Sequence, residues 1–265
     1  MNELKWNNQN IVILASEHDI ASIKIAEQVQ KLSLPVFYLR DTSFLHVSDK
    51  ELPIADNFIV VSRHSSVAGE PAFTVHSVGN YSPEAPKLGG ASAVLGKTQA
   101  EIQTYLLYSL TKVIEQEKSF SHFDVVTEAT HHGPLISKPL VFIEMGSNQD
   151  VWTDKNAAKI VAQAIQFFFS KYSSIEKPLP SAIGFGGGHY PRKIVNAMLN
   201  LDFVVGHICP KYALPFLNEK LIKQMIESTI ASHPVQYALF DKKGMNRKQE
   251  IREIVQNFGL EVIEI

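Results

Sequence analysis

The sequence predicts an α/β protein, a three-layer α/β/α sandwich around a mainly parallel (mixed) sheet. Two observations carry this. Short apolar runs alternate with amphipathic stretches along 265 residues. The runs are continuously apolar rather than alternating, as in strands buried on both faces. No repeat, linker or low-complexity segment interrupts the chain, so residues 1–265 are expected to form one domain.

The elements follow in order. IVILAS (residues 11–16) reads as a buried strand, and DIASIKIAEQVQKL (19–32) follows with helical spacing. VFYLR (36–40) and NFIVVS (57–62) are further strands. Residues 63–96 have no periodicity and gather Gly, Pro, Ser and His around one strand, AFTVHSV (72–78). A loop-rich insertion of this length in a compact domain points to function. A helix is expected from Thr98, because Thr98 and Glu101 match the reciprocal capping pattern in which each side chain satisfies the other's free backbone N–H. DVVTEAT (124–130) is a strand, HHGPLISKP (131–139) a loop and LVFIEMG (140–146) a strand. Residues 154–172 form a helix with Ala157, Ile160, Val161, Ala164 and Phe168 on one face. SAIGFG (181–186) runs into three glycines. FVVGHIC (203–209), VQYALF (235–240) and LEVIEI (260–265) are the last strands, with helices between them.

Composition narrows the function. Hydrophobic residues make up 45% and charged residues 20%, the balance of an ordinary globular protein. One cysteine, Cys209, excludes an internal disulfide and suits a reducing, cytoplasmic setting. The opening MNELKWNNQN lacks the apolar core of a secretory signal, and no apolar run approaches the ~20 residues of a membrane span. A net charge of −2 gives no global pull on nucleic acid. RNA binding therefore needs a local patch, expected at Arg192, Lys193, Lys211, Lys242, Lys243 and Arg247.

Two motifs mislead. GGASAVLGKT has five residues between Gly90 and Gly96 where a P-loop has four, and it does not follow a strand. GFGGGH has His189 where a dinucleotide fingerprint has its third glycine. No HExxH, CxxC or GxSxG motif is present.

Chemistry gathers at strand ends. His64, His76, His131, His132, His189 and His207 all end or follow a predicted strand, and ligands of open α/β sheets bind beyond the carboxyl ends of strands. Glu128 lies three residues before His131. Glu144 ends an apolar strand, where a carboxylate must be paired or ligating; it pairs with a lysine or caps a loop, or else orients a histidine or holds a metal. In GFGGGHYPR (184–192), Gly186, Gly187 and Gly188 let main chain approach a ligand and offer amides to an oxyanion. Tyr190 offers a stacking face, and Arg192 and Lys193 offer charge. The plainer reading is a flexible turn.

SRH, EATHHGP, EMGS, GFGGGHYPR and GHICPKYAL together resemble, in the same order, the archaeal and plant type of D-aminoacyl-tRNA deacylase. The resemblance covers the middle and C-terminal three quarters of the chain. It implies a zinc-dependent hydrolase that cleaves the ester of D-aminoacyl-tRNA, a chiral proofreading step in translation quality control. It also implies a sandwich related to peptidyl-tRNA hydrolases and nucleoside phosphorylases. On that reading His131, His132 and Glu128 are catalytic, with either histidine a base or a zinc ligand and Glu128 orienting the pair. His64, His76, Glu144 and His189 are candidate zinc ligands. Gly186 to Gly188 supply an oxyanion hole and a wall against the L-amino acid. Tyr190, Arg192 and Lys211 bind the tRNA end, in a monomer or a homodimer. Two alternatives remain: a nucleoside phosphorylase or nucleotidase using the glycine loop for phosphate, and an RNA-binding module without turnover.

Overall fold

A computed structural model describes residues 4–40, 42–174, 176–243 and 245–265. In chain order its strands are β1 (Leu4–Trp6), β2 (Gln9–Ser16), β3 (Val36–Leu39), β4 (Asn57–Ser65), β5 (Ala72–Ser77), β6 (Gly79–Asn80), β7 (Val94–Leu95) and β8 (Thr98–Gln99). They continue as β9 (Asp124–Thr127), β10 (Leu140–Ser147), β11 (Ser181–Phe185), β12 (Val204–Cys209), β13 (Thr229–Ile230), β14 (Tyr237–Phe240) and β15 (Glu261–Glu264). The α-helices are α1 (Ile20–Lys31), α2 (Ala100–Gln116), α3 (Gln149–Thr153), α4 (Lys155–Lys171), α5 (Arg192–Leu199), α6 (Glu219–Ser228) and α7 (Lys248–Asn257).

The strands form two main sheets. The larger runs β1-β2-β4-β10-β5-β9, with β3 beside β2; the smaller runs β12-β11-β14-β15 and is parallel throughout. The larger sheet is mixed. β2, β3, β4 and β10 run together, while β5 lies antiparallel to β10 and carries β9 with it. His76 therefore does not share a carboxyl edge with His64, although both end strands. What they share is a face of the sheet.

Side chains alternate between faces along a strand. Ile13, Ile59, Val61, Phe73, Val75, Val141 and Ile143 pack against α1, α2 and α4. Leu14, Phe58, Val60 and Phe142 point the other way, under Phe44, Val47, Ala55 and Ile136 from loops. Helices thus cover one face of the larger sheet and loops the other. The smaller sheet has helices on both faces: Ile194 and Val195 of α5 on one, Ile222 of α6 and Ile251 of α7 on the other.

Thr98 does not cap α2. It is a β8 residue paired in parallel with Thr229, and the helix starts at Ala100 after Gln99. Glu101 turns its carboxylate to the Ser232 amide instead. α4 begins as expected, with Asp154 accepting from the Asn156 amide. Residues 63–96 are less irregular than expected: β4 continues to Ser65, β5 enters the sheet, and β6 and β7 form a small hairpin.

His207 belongs to the joint between the sheets rather than to the functional cluster. Its Nε2–H donates to the Gly96 carbonyl at 2.9 Å and its Nδ1 accepts from Thr130 Oγ1 at 3.2 Å. Burial pushes its pKa down to about 4. A folded pKa below the unfolded 6.5 means stability is full above pH 6.5 and falls as pH drops towards 4, because the unfolded ring takes the proton first. His207→Ala is expected to destabilise the fold by about 2–4 kcal/mol at pH 7, with a smaller penalty at pH 5. Chemical denaturation at both values checks this; an equal penalty would refute the linkage.

Candidate active site

The polar residues of the loop-covered face have two-residue spacing: Ser62 and His64 on β4, Thr74 and His76 on β5, Glu144 on β10. All are buried. Parallel register sets Gly146 beside His64 and Glu144 beside Ser62, and antiparallel register sets Glu144 beside Thr74. Glu144 consequently accepts from Ser62 Oγ at 2.5 Å and from Thr74 Oγ1 at 3.3 Å. A Cβ on Gly146 would lie 2.0 Å from the His64 carbonyl oxygen, so only glycine lets the two strands close here. The Trp152 indole donates to that same carbonyl at 2.7 Å.

Glu128 enters from the end of β9. His64 Nδ1 sits 3.0 Å from its Oε1 and 3.6 Å from Glu144 Oε2. Glu128 Oε1 takes no aligned hydrogen bond, so the 3.0 Å approach is an ion contact. His189 Nε2–H donates to Glu128 Oε2 at 2.7 Å, and Nε2 of His131 lies 3.7 Å from the same oxygen. Burial pushes both carboxyls up, but the surrounding histidines more than reverse it: Glu128 falls well below the usual range and Glu144 to about 2. Burial pulls His64 down, yet Glu128 and Glu144 together push it up to about 11.

Three other imidazoles share one orientation. Nδ1 of His76 donates to the Ser77 carbonyl, of His131 to the Ala129 carbonyl and of His132 to the Gly133 carbonyl, at 3.1, 2.9 and 2.5 Å. A carbonyl only accepts, so Nδ1 carries a proton in all three. His131 and His132 keep Nε2 open. At His76 burial lowers the pKa, but Glu144, 3.7 Å from Nε2, raises it overall and favours a second proton there, which a metal would displace. Nε2 of His76 is buried without a hydrogen-bond partner. Burial, then repulsion by His76, lowers His131 well below the ordinary value and His132 to about 4. His132 has φ 42°, a left-handed conformation rare outside glycine. Tight packing accompanies it: Gly133, Gly89 and Gly90 lie so close that a Cβ on Gly133 would meet Gly90 N at 2.4 Å and Gly89 C at 2.6 Å. The glycine pair of the false P-loop thus shapes the histidine loop.

Among the described residues, three groups could hold a metal: His76, His131, His132; Glu128, His131, His189; and His64, Glu128, Glu144. Within each, the ligand atoms lie within 4.8 Å of one another. The expected ligands His64, His76, Glu144 and His189 fall across all three groups, and the expected catalytic residues join them. The cluster opens on a cavity of about 320 Å³, also lined by Ser16, Asp19, Phe44, Leu45, Arg63 and Leu88.

Other expected residues lie elsewhere or are engaged. The glycine run does not line this cavity; Gly187 and Gly188 line a neighbouring depression. Gly186 and Gly187 have φ of 95° and 74°, so the turn itself requires glycine. The Gly186 amide donates to the Cys209 carbonyl, which leaves at most two amides of the run for an oxyanion. Tyr190 is engaged rather than free to stack: its hydroxyl oxygen accepts from Nε2–H of the His64 imidazolium at 2.8 Å. The expected basic patch is largely neutralised: Arg192 pairs with Asp124, Lys193 with Asp241, Lys242 with Glu264 and Arg247 with Glu250. Sequence reasoning missed Ser62, Thr74 and Tyr212, the last of which meets His189 Nδ1 at 3.1 Å. The polar two-residue spacing would have found the first two.

An α/β protein with imidazoles and ionised carboxylates converging on a buried cavity is equipped for metal-assisted hydrolysis. A family model described as D-aminoacyl-tRNA deacylase matches residues 52–263. Curated relatives named D-aminoacyl-tRNA deacylase include one from Desulfurococcus amylolyticus, 36% identical over 219 residues, covering 82% of this chain and 78% of the relative. Another, from Methanocaldococcus jannaschii, is 33% identical over 258 residues, covering 94% and 97%. A crystal structure of a conserved protein of unknown function shares the fold, with a TM-score of 0.84 at 24% identity over 96% of this chain and 94% of that one. This chain belongs to the D-aminoacyl-tRNA deacylase family.

Gly146→Ala is expected to lower stability by about 2–4 kcal/mol, because the methyl meets backbone that cannot rotate away. Thermal unfolding checks this; a change below about 0.5 kcal/mol would mean that β4 and β10 do not close as described. Tyr190→Phe removes one hydrogen bond from His64 and is expected to cost no more than about 1.5 kcal/mol in the same assay.

Proposed function

We propose that this protein hydrolyses the ester joining a D-amino acid to the 3′ end of tRNA, releasing free tRNA and the D-amino acid. Family membership and one observation support the reading. Three imidazoles have Nδ1 fixed on carbonyls, and two of them, His76 and His131, hold Nε2 3.7 Å from the ionised, buried carboxylates Glu144 and Glu128 beside a cavity. Neither a phosphorylase nor an RNA-binding module without turnover calls for that arrangement. An aminoacyl ester is already reactive, so the enzyme has to place a water, take its proton and stabilise the oxyanion. Charged tRNA is made and used in the cytoplasm, and we place the activity there. No helix among the described residues is long and apolar enough to cross a membrane. We propose that the fold is related to that of peptidyl-tRNA hydrolases and phosphorylases, with helices on both faces only at the smaller sheet.

The residues fit zinc. His76 holds a buried nitrogen without a hydrogen-bond partner, and each of the three rings has the carbonyl partner that fixes a ligating imidazole. His76, His131 and His132 would hold the ion, without thiolates, as in catalytic rather than structural sites. When bound, zinc supplies a Lewis acid that makes water a nucleophile near neutral pH. Glu128 is the proton acceptor. Its Oε2 is steered by His189, and its Oε1 has no aligned hydrogen bond. His64, held as an imidazolium by Glu128 and Glu144, keeps the paired carboxylates from repelling each other.

Incubation with D- and L-tyrosyl-tRNA tests the activity. Loss of the D ester with the L ester spared is expected; equal rates would defeat the chiral reading. Glu128→Gln keeps the shape but removes the base, and turnover is expected to fall at least about 100-fold. Chelation should abolish turnover and leave the circular dichroism spectrum unchanged, with zinc restoring activity. Full activity in a zinc-free preparation would rule the metal out.

A further inference from the structure

We infer that the depression beside the glycine run is the docking platform for the single-stranded 3′ end of the tRNA, with Tyr212 as its stacking face. The inference rests on the proposed deacylase reading and adds to it the surface along which the strand reaches the ester.

β11 and β14 are parallel neighbours in the smaller sheet. The chain leaves β11 through α5 on one face towards β12, and leaves β14 through α7 on the other face towards β15. Where connections diverge in this way, loops part at the carboxyl ends and leave a crevice, the usual ligand site of parallel α/β sheets. The depression lies there. It is lined by Gly187 and Gly188 after β11, Lys211 and Tyr212 after β12, and Asp241 and Lys243 after β14.

The platform has the chemistry of a nucleic-acid strand. Tyr212 is 57% exposed and Phe216, four residues on, is 41% exposed; they are the two aromatic side chains among the exposed large hydrophobics of the described residues. Lys211 and Lys243 flank Tyr212, and no ion pair to either is found among the described residues. Asp241 is the one carboxylate lining the depression, and Lys193 Nζ sits 3.3 Å from it. Successive bases stack on aromatic faces while cations follow the phosphates. The turn is held rigid. Arg247 Nη1 donates to the Leu214 and Leu217 carbonyls, and the Lys211 amide donates to the Gly187 carbonyl.

The platform is continuous with the active site. Tyr212 holds its hydroxyl 3.1 Å from His189 Nδ1, and His189 Nε2 donates to Glu128. A strand lying on Tyr212 therefore ends beside the carboxylate that takes the proton.

The test uses binding, independent of hydrolysis. Uncharged tRNATyr is compared with the same tRNA lacking its three 3′-terminal nucleotides. The wild-type protein is expected to bind the intact tRNA at least about fivefold more tightly. Tyr212→Phe keeps the stacking face and should keep that preference, whereas Tyr212→Ala should erase it. Gly188→Leu is the second variant. A Cβ at Gly188 meets nothing within 4 Å, so the side chain fits without clash yet fills the depression; it too should erase the preference. Retention of the full preference by both Tyr212→Ala and Gly188→Leu overturns the inference. So does an absence of preference in the wild type, or competition by cytidine monophosphate without any effect of truncation. If the wild type prefers the intact end but leaves D-tyrosyl-tRNA uncleaved, the deacylase reading fails while the platform stands.

Discussion

Two carboxylates, Glu128 and Glu144, are buried in this protein, and their surroundings are arranged so that both stay ionised. A lone buried carboxylate would take a proton. Here Ser62, Thr74 and His189 donate hydrogen bonds, His64 and His76 are pushed towards the cationic form, and Glu144 is held at about 2. The same electrostatics sort the histidines. His64, between both carboxylates, becomes a cation. His131 and His132, crowded against His76, stay neutral and open at Nε2.

That arrangement depends on the mixed sheet. With β5 antiparallel to β10, Thr74 comes opposite Glu144 and His76 opposite Phe142, so Thr74, His76 and Glu144 share one face. An all-parallel sheet would align strand ends and spread these side chains along an edge. Gly146 is the price of the neighbouring register, since any larger residue would push His64 away from Glu128. Helices cover the opposite face, so the cluster opens towards loops, where a substrate can enter.

Much of this was legible in the sequence. The strands, α1 and α4 were visible because apolar periodicity survives any topology. The residues of the site were visible as motifs, since His64, His76, Glu128, His131, His132, Glu144 and His189 do converge. Strand direction was not legible. Buried strands read alike whether parallel or antiparallel, so β5 gave no sign of its reversal. His207 was misplaced because it lies inside β12, which runs on to Cys209, and its buried ring turns to Gly96 and Thr130 rather than to the cluster. Thr98 and Glu101 had the spacing of a cap, yet tertiary pairing with Thr229 and Ser232 took both. The glycine run was read as a site of close approach because only glycine lets main chain come so near a ligand; its backbone is a left-handed turn at the crevice of the second sheet, a geometry that sequence spacing does not show. There it shares a depression with Tyr212, which lies in the motif GHICPKYAL but whose contact with His189 depends on the fold rather than on spacing.

The two sheets thus divide the work. The mixed sheet fixes charged and imidazole groups on one buried face, and the parallel sheet brings loops to the crevice beside it. His189 links them, bonded to Glu128 on one side and Tyr212 on the other. The central claim is that backbone carbonyls hold the protons of three rings at Nδ1 and leave Nε2 for a metal. Nitrogen-15 NMR of the histidine rings, with and without zinc, measures this directly. Nδ1 of His76, His131 and His132 should stay protonated throughout, while zinc shifts Nε2 of all three. Nε2–H signals that persist in the zinc-loaded protein would contradict it.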